Sequence, residues 1–156
     1  MHVVNDDERL MREALREAQR ALEQGEVPVG AVAVRDGVII ARGRNQRETL
    51  RDPTAHAEMI VLRQASQVLQ GWRLLGVTLY CTLEPCAMCA AAMVHARLPR
   101  LVYGAPDPKA GAAGSVFNLA ASPQLNHHVE VVGGVLAMES AALLARFFAS
   151  LREPTE

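Results

Sequence analysis

Residues 77–83 read VTLYCTL, and the chain then turns through Pro85 into Cys86-Ala-Met-Cys89 and an alanine-rich run. Seven apolar or β-branched residues in a row suit a strand covered on both faces rather than one with a wet side. The segment after Pro85 suits a helix over about residues 86–97. Together with the alternation of strands and helices along the chain, this points to a sheet with helices packed on its faces, the α/β class.

The remaining pattern agrees. Leu10, Met11, Ala14, Leu15, Ala18, Ala21 and Leu22 recur at three- and four-residue intervals and predict an amphipathic helix over 6–24. Asn5 and Glu8 read as its capping pair and Gly25 as its stop. VPVGAVAVRDGVIIARG places Asp36-Gly37 between two runs of β-formers, a strong hairpin signal. A polar loop is expected over 44–53, a helix over 54–70 and a strand over 101–104. A loop of small residues follows at 111–114, then a short helix over 115–122. A fifth strand is expected at 129–132. A last helix over 138–151 carries Leu143, Leu144, Phe147 and Phe148 on one side. The connection between the last two strands is long enough for a crossover, so a parallel pair is expected there. No internal repeat or linker interrupts residues 1–156, which read as a single domain.

Half of the 156 residues are hydrophobic, 21% are charged and the net charge is −1. Such a balance neither requires nor excludes an RNA partner. The opening MHVVNDDERL lacks a basic region followed by an apolar run, so no signal peptide is expected. No apolar stretch reaches membrane-spanning length without a charge or glycine. A cytoplasmic protein keeps its thiols reduced, and the odd count of three cysteines further disfavours a disulfide framework.

Thirty residues before Cys86 stands PTAHAEM, with His56 and Glu58. A His-x-Glu alone carries no information, and a lone Cys-x-x-Cys also fits a thiol redox pair. Their joint placement at the starts of two predicted helices is more specific, because the open N–H groups there favour thiolate and carboxylate. His56, Cys86 and Cys89 are three good zinc ligands without a convincing fourth. Three ligands and an open position mark catalytic zinc, whereas structural zinc is closed by four. Cys81 alternates with Leu79 and Leu83 inside the buried strand and reads as core. His95, six residues beyond Cys89, lies roughly 9 Å further along the helix, and His127 and His128 have no ligand-like spacing. Glu58, two residues from a ligand, is placed to take a proton from a metal-activated water. His-x-Glu paired with Pro-Cys-x-x-Cys is the signature by which zinc nucleobase deaminases are recognised.

Within that group, DPTAHAEM, TLEPCAMCAAAMVHAR, YGAPDPKAGAAGS and NHHVEVVGGVLAMESAALLARFF resemble the bacterial tRNA-specific adenosine deaminases, from about residue 8 to residue 148. The stretch Asp107–Ser115 is the more family-specific part, since the zinc motifs are shared by deaminases of cytidine, deoxycytidylate and guanine. The resemblance implies a three-layer α/β/α, cytidine-deaminase-like fold with a central five-stranded mixed sheet. It also implies hydrolytic conversion of adenosine to inosine at the wobble position of a tRNA anticodon, with release of ammonia. One Zn2+ per subunit, no organic cofactor, a tRNA anticodon stem-loop as partner and a homodimer follow from the same likeness. The alternative is a free-base or nucleoside deaminase of the same fold, acting on cytidine or guanine. Position by position, His56, Cys86 and Cys89 match the metal ligands and Glu58 the proton shuttle. Asn45 and Asp107 match contacts to the target nucleotide, Lys109 a phosphate contact, and Val29 and Leu83 walls of the base pocket. Read as residues alone, Asn45 serves equally as a loop cap, Asp107 as a turn former before Pro108 and Lys109 as a solvated charge; Val29 and Leu83 serve equally as core.

Local charge adds a physical reading. Arg42, Arg44, Arg47 and Arg51 crowd the approach to His56, and Arg97 and Arg100 follow the cysteine helix, so phosphates are expected to be drawn there. The alternative is a solvated loop balanced by Glu48 and Asp52. At 4% aromatic residues the chain has little material for a base-stacking platform, so recognition is expected to rest on pockets for splayed bases. The alanine-rich helix after Cys89 offers a small-residue face compatible with close packing. The chain departs from the family in ending SLREPTE without a basic run, and in carrying Pro106 and Ala110 in the substrate loop.

Overall fold

The computed structural model describes residues 6–152; the expected Asn5 cap and residues 153–156 lie outside them. Helix α1 (Asp6–Glu23) leads into the hairpin β1 (Gly30–Arg35) and β2 (Val38–Arg44), then a single turn α2 (Arg47–Leu50) and helix α3 (Ala57–Leu69). Strand β3 (Val77–Leu83), helix α4 (Ala87–His95), strands β4 (Arg100–Ala105) and β5 (Glu130–Val132) and helix α5 (Ala137–Arg152) complete the order. The strands form one sheet in the order β2-β1-β3-β4-β5. β1 is antiparallel to β2 and β3, whereas β3–β4 and β4–β5 are parallel, so the sheet is mixed and the expected crossover pair is present.

Asp36 and Gly37 turn the hairpin with φ of 52° and 75°. Both central residues of the tight turn need positive φ, which glycine adopts without penalty and aspartate tolerates. β3 sits at the centre of the sheet and its alternate side chains divide the core. Tyr80 joins Val32, Val34 and Val102 under Leu10, Met11 and Ala14 of α1. Leu79 and Cys81 join Ala31, Ala33 and Leu101 under Val61, Ala65, Ala90 and Met93 of α3 and α4. With α1 and α5 on one face and α3 and α4 on the other, the architecture is three-layer α/β/α, and the apolar run of β3 is explained by its two covered faces.

Three local expectations are corrected. The predicted helix over 54–70 begins at Ala57, because Asp52 Oδ1 accepts both the backbone N–H (2.8 Å) and the hydroxyl (2.7 Å) of Thr54 and holds a turn instead. The polar loop contains the short helix α2. Residues 115–122 form no helix. The Gly111 carbonyl accepts the N–H groups of Val116 (2.9 Å) and Phe117 (3.0 Å), the Ser115 N–H goes to Glu84, and Ala113 pairs with Asn118, so the donors that a helix needs are already committed. On α5, Leu144 packs on the core as expected, but Phe148 remains 46% exposed.

Candidate active site

Because β1 runs opposite to β2, β3 and β4, one edge of the sheet collects the carboxyl ends of those three strands and the start of β1. Ligands of open α/β sheets bind at such an edge. Here a cavity of about 190 Å3 opens there. Val27 and Val29 enter it from before β1, Asn45 and Arg47 from after β2, and Leu83, Glu84 and Cys86 from the end of β3. Asp107 and Ala110 enter from after β4, and His56 and Glu58 from the start of α3.

His56 and Cys86 each occupy the N-cap position of a helix, α3 and α4, and neither side chain is spent on capping. Both point to the same spot. His56 Nδ1 lies 3.6 Å from Cys86 Sγ and 3.5 Å from Cys89 Sγ, and the three donor atoms lie within 4.8 Å of one another. Tetrahedral zinc with bonds of about 2.3 Å to sulfur and about 2.05 Å to nitrogen separates a sulfur from a nitrogen donor by about 3.5 Å, so both His56–cysteine distances fit the ion. Metal binding through Nδ1 fixes the His56 proton on Nε2. The donor set is electrostatically prepared. A hydrogen bond from Cys89, opposed by burial and helped by His56, lowers the Cys86 thiol to about 3. The same shared proton, with burial, pushes Cys89 up, and His56 is raised by its bond to Cys86. The cluster thus holds anionic sulfur beside two helix N-termini, as a cation site requires.

Glu58 is 4% exposed and belongs to the first turn of α3, facing the same cavity. Burial raises its pKa, against the opposing pull of its own backbone N–H and His56. A buried carboxyl whose pKa is raised takes up a proton more readily than an exposed one, which suits proton shuttling. Cys81, fully buried in β3 with its thiol pushed up by burial, is core as expected and stands outside the donor set.

The expected substrate residues separate. Val29 and Leu83 line the cavity, as do Asn45 and Asp107. Asn45 is 6% exposed and partly committed: its Nδ2 donates to the Val27 carbonyl (3.3 Å) and its Oδ1 accepts the Arg47 N–H (3.2 Å). Asp107 Oδ1 accepts the N–H groups of Lys109 (3.0 Å) and Ala110 (3.2 Å), so it forms the turn as well as facing the cavity. Lys109 lies apart, in a surface recess with Phe148, Leu151 and Arg152 of α5. The basic approach is thinner than its sequence implies. Arg42 reaches Glu13 and Glu17 (both 3.5 Å), Arg44 reaches Glu17 (3.7 Å) and Gln24 (2.8 Å), and Arg100 grips Asp7 on the opposite face. Arg47 remains at the cavity.

Two functional side chains escape a sequence reading. Glu26, 1% exposed, accepts the N–H groups of Glu48 (3.2 Å) and Thr49 (2.7 Å) and the Thr49 hydroxyl (2.7 Å), anchoring α2 beside Asn45. Glu84, 2% exposed, gathers donors from the 107–115 segment. Burial opposes ionisation of both, yet these hydrogen bonds outweigh it and hold each carboxyl below its ordinary range. The only signal in the sequence was a carboxylate inside an apolar context, at QGEVPVG and TLEPC.

Comparison with known proteins agrees with this geometry. Residues 4–105 match the cytidine and deoxycytidylate deaminase zinc-binding region. The tRNA-specific adenosine deaminase of Bacillus subtilis is 51% identical over 150 residues, covering 96% of this chain and 93% of the relative. That of Haemophilus influenzae is 51% identical over 148 residues, covering 94% and 86%. A solved tRNA:A34 deaminase, described as editing A to I at the wobble position of transfer RNA, superposes with a TM-score of 0.84 at 49% identity, covering 87% of this chain and 99% of that one. A guanine deaminase from Nitrosomonas europaea superposes with a TM-score of 0.78 at 25% identity, covering 95% and 87%. The cavity, its zinc donor set and these likenesses along nearly the whole chain lead to one assignment: the protein belongs to the cytidine and deoxycytidylate deaminase family, in the group of bacterial tRNA-specific adenosine deaminases.

Proposed function

We propose that this single-domain protein hydrolyses adenosine to inosine and ammonia at the wobble position of a tRNA anticodon, as a cytoplasmic homodimer with one zinc ion per subunit. The observation that carries the reading is the placement of Glu58 beside the His56–Cys86–Cys89 donor set in one cavity, with Asn45 and Asp107 on its walls. The curated relatives at 51% identity bear the same activity in their names and supply the substrate class.

Zinc held by His56, Cys86 and Cys89 lowers the pKa of water toward neutrality and so makes it a nucleophile at physiological pH. The chain's own groups then direct the reaction. The adenosine leaves the anticodon loop, where unstacking is cheap, and its base enters between Val29 and Leu83. Asn45 and Asp107 hold the nucleotide. Glu58 accepts a proton from the attacking water and delivers it to N1 of the purine while C6 gains the oxygen. Glu58 then passes the second water proton to the departing amine, and ammonia leaves. A buried carboxyl with a raised pKa suits both halves of that transfer.

The experiment challenges purified protein with a short anticodon stem-loop carrying adenosine at the wobble position, beside free cytidine and guanine. Mass spectrometry reads the one-unit gain of each deamination. Inosine in the RNA with the small substrates untouched is the expected result. Turnover of guanine with the RNA unchanged would keep the zinc chemistry and replace the substrate, an outcome that the likeness to the Nitrosomonas guanine deaminase makes worth including.

The homodimer has a physical basis in the face formed by α3 and α4. A broad recess of about 730 Å3 there is bordered by Met59, Leu62, Trp72, Ala92 and Ala96, with Trp72 54% exposed. Apolar surface beside the two ligand-bearing helices is suited to a self-complementary contact. Light scattering should give twice the chain mass of 16.9 kDa, and a monomer at micromolar concentration would refute the dimer. No helix among the described residues is long and apolar enough to cross a membrane.

A further inference from the structure

The segment that carries Asp107 has no regular secondary structure, yet it closes one side of the cavity. Its order has an identifiable source. The Glu84 carboxylate is buried, one residue before the Pro85-Cys86 turn. Oε1 accepts the N–H of Asp107 (3.0 Å) and the Ser115 hydroxyl, and Oε2 accepts the N–H groups of Ala113 (3.1 Å) and Ser115 (3.0 Å). The backbone reinforces it: Glu84 N–H donates to Ala105 (2.9 Å) and Ala112 N–H donates to Pro85 (2.8 Å). Gly111 passes directly over the carboxylate, and a Cβ there would fall 2.3 Å from Cδ and 2.4 and 2.5 Å from the two oxygens. A side chain at 111 and the carboxylate at 84 therefore compete for one space.

We infer that Glu84 is a positioning residue for RNA recognition, a buried four-donor clamp that fixes the 107–115 loop and its Asp107 against the turn bearing Cys86. Both of its carboxylate oxygens are spent on the 107–115 loop rather than on His56, Cys86 or Cys89, so its effect falls on substrate binding rather than on the chemical step. This assignment rests on the tRNA reading above. A carboxylate alone meets the demand of the site. Glutamine offers one carbonyl oxygen and turns an NH2 group toward N–H and O–H donors, so part of the clamp opens without loss of volume.

The test compares Glu84→Gln, Gly111→Ala and Ser115→Ala with the wild type in steady-state kinetics on the wobble-adenosine stem-loop, zinc content and amide hydrogen exchange. Glu84→Gln should raise KM about tenfold, leave kcat within about twofold and keep full zinc. Exchange should quicken at Ala113 and Ser115 and stay unchanged in β3. Gly111→Ala, which keeps the charge but fills the carboxylate's space, should give the same KM shift, and Ser115→Ala a smaller one. If Glu84→Gln fails to fold, Gly111→Ala decides the matter. Unchanged KM and exchange would overturn the clamp, as would zinc loss or a fall in kcat at constant KM, which would place Glu84 in the metal site. The exchange readout needs no RNA, so a wild type that ignores the stem-loop would refute the substrate assignment while the clamp is still judged.

Discussion

His56 and Cys86 each start a helix, and once α3 and α4 lie side by side on the sheet the donor set at the floor of the cavity is complete. The walls above it are built differently. α2 hangs on Glu26, some twenty residues earlier in the chain, and the 107–115 loop hangs on Glu84, each mainly through backbone N–H groups with one hydroxyl beside them. At the floor, residue identity is dictated by chemistry: the ion needs thiolate, imidazole or carboxylate donors, and a proton shuttle needs a titratable group. At the walls, the loops are held by the buried carboxylates beneath, through backbone N–H groups and the Thr49 and Ser115 hydroxyls, and Gly111 must stay without a side chain. Floor changes should therefore strike zinc content or kcat, and wall changes should strike KM.

Metal removal is the most severe way to test the floor. Dialysis against a chelator should bring deamination to background, and zinc should restore it; cysteine variants at 86 or 89 should not recover under the same treatment. Activity that survives in demonstrably zinc-free protein would break the comparison at its base. Glu58→Ala comes next. It should retain zinc and bind the stem-loop, yet lose about 10³-fold or more in kcat, the scale of a positioned acid–base group. Wild-type turnover in that variant would remove the shuttle assignment.

Wall variants should be gentler. Asp107→Ala should raise KM for the stem-loop about tenfold with kcat within about threefold, and Glu26→Gln should follow in the same direction by a smaller factor. A kcat effect larger than the KM effect at either position would erase the distinction between floor and wall.

The smallest effect belongs to the far face of the sheet, where Arg100 holds Asp7 through two hydrogen bonds (2.8 and 3.0 Å) and Tyr80 donates a third (2.7 Å). Chiefly the Arg100 bond keeps the Asp7 pKa below its ordinary 3.8. A depressed carboxylate pKa adds stability in full above the unfolded value, and that contribution fades as pH falls through the folded one. Asp7→Asn should cost about 1–2 kcal/mol at neutral pH in denaturant unfolding, with the gap to wild type closing below about pH 4. Deamination at neutral pH should be unaltered, because this network lies across the sheet from the cavity.

Much of this was legible in the chain. β3 occupies the expected residues, since a run covered on both faces has one hydropathy signature; Asp36-Gly37 announced its hairpin because few other pairs accept two positive φ values. His56, Cys86 and Cys89 were readable as a donor set, with Glu58 beside them, because metal chemistry admits few residue types at few spacings. Three of the arginines were misleading for the opposite reason. A charge near a site in sequence has no direction, and Arg42, Arg44 and Arg100 turn toward carboxylates of α1. The expected helix over 115–122 failed similarly: its donors are claimed by Glu84 and by the Gly111 and Ala112 carbonyls.

The sequence by itself thus determined the layered α/β fold and the zinc donor set, because periodicity and ligand chemistry are local properties of residue type. Only the tertiary structure decided which loops face the cavity and what holds them there. Glu26 and Glu84 read as ordinary acids until folding removes water from them, and only then do neighbouring N–H groups become their partners.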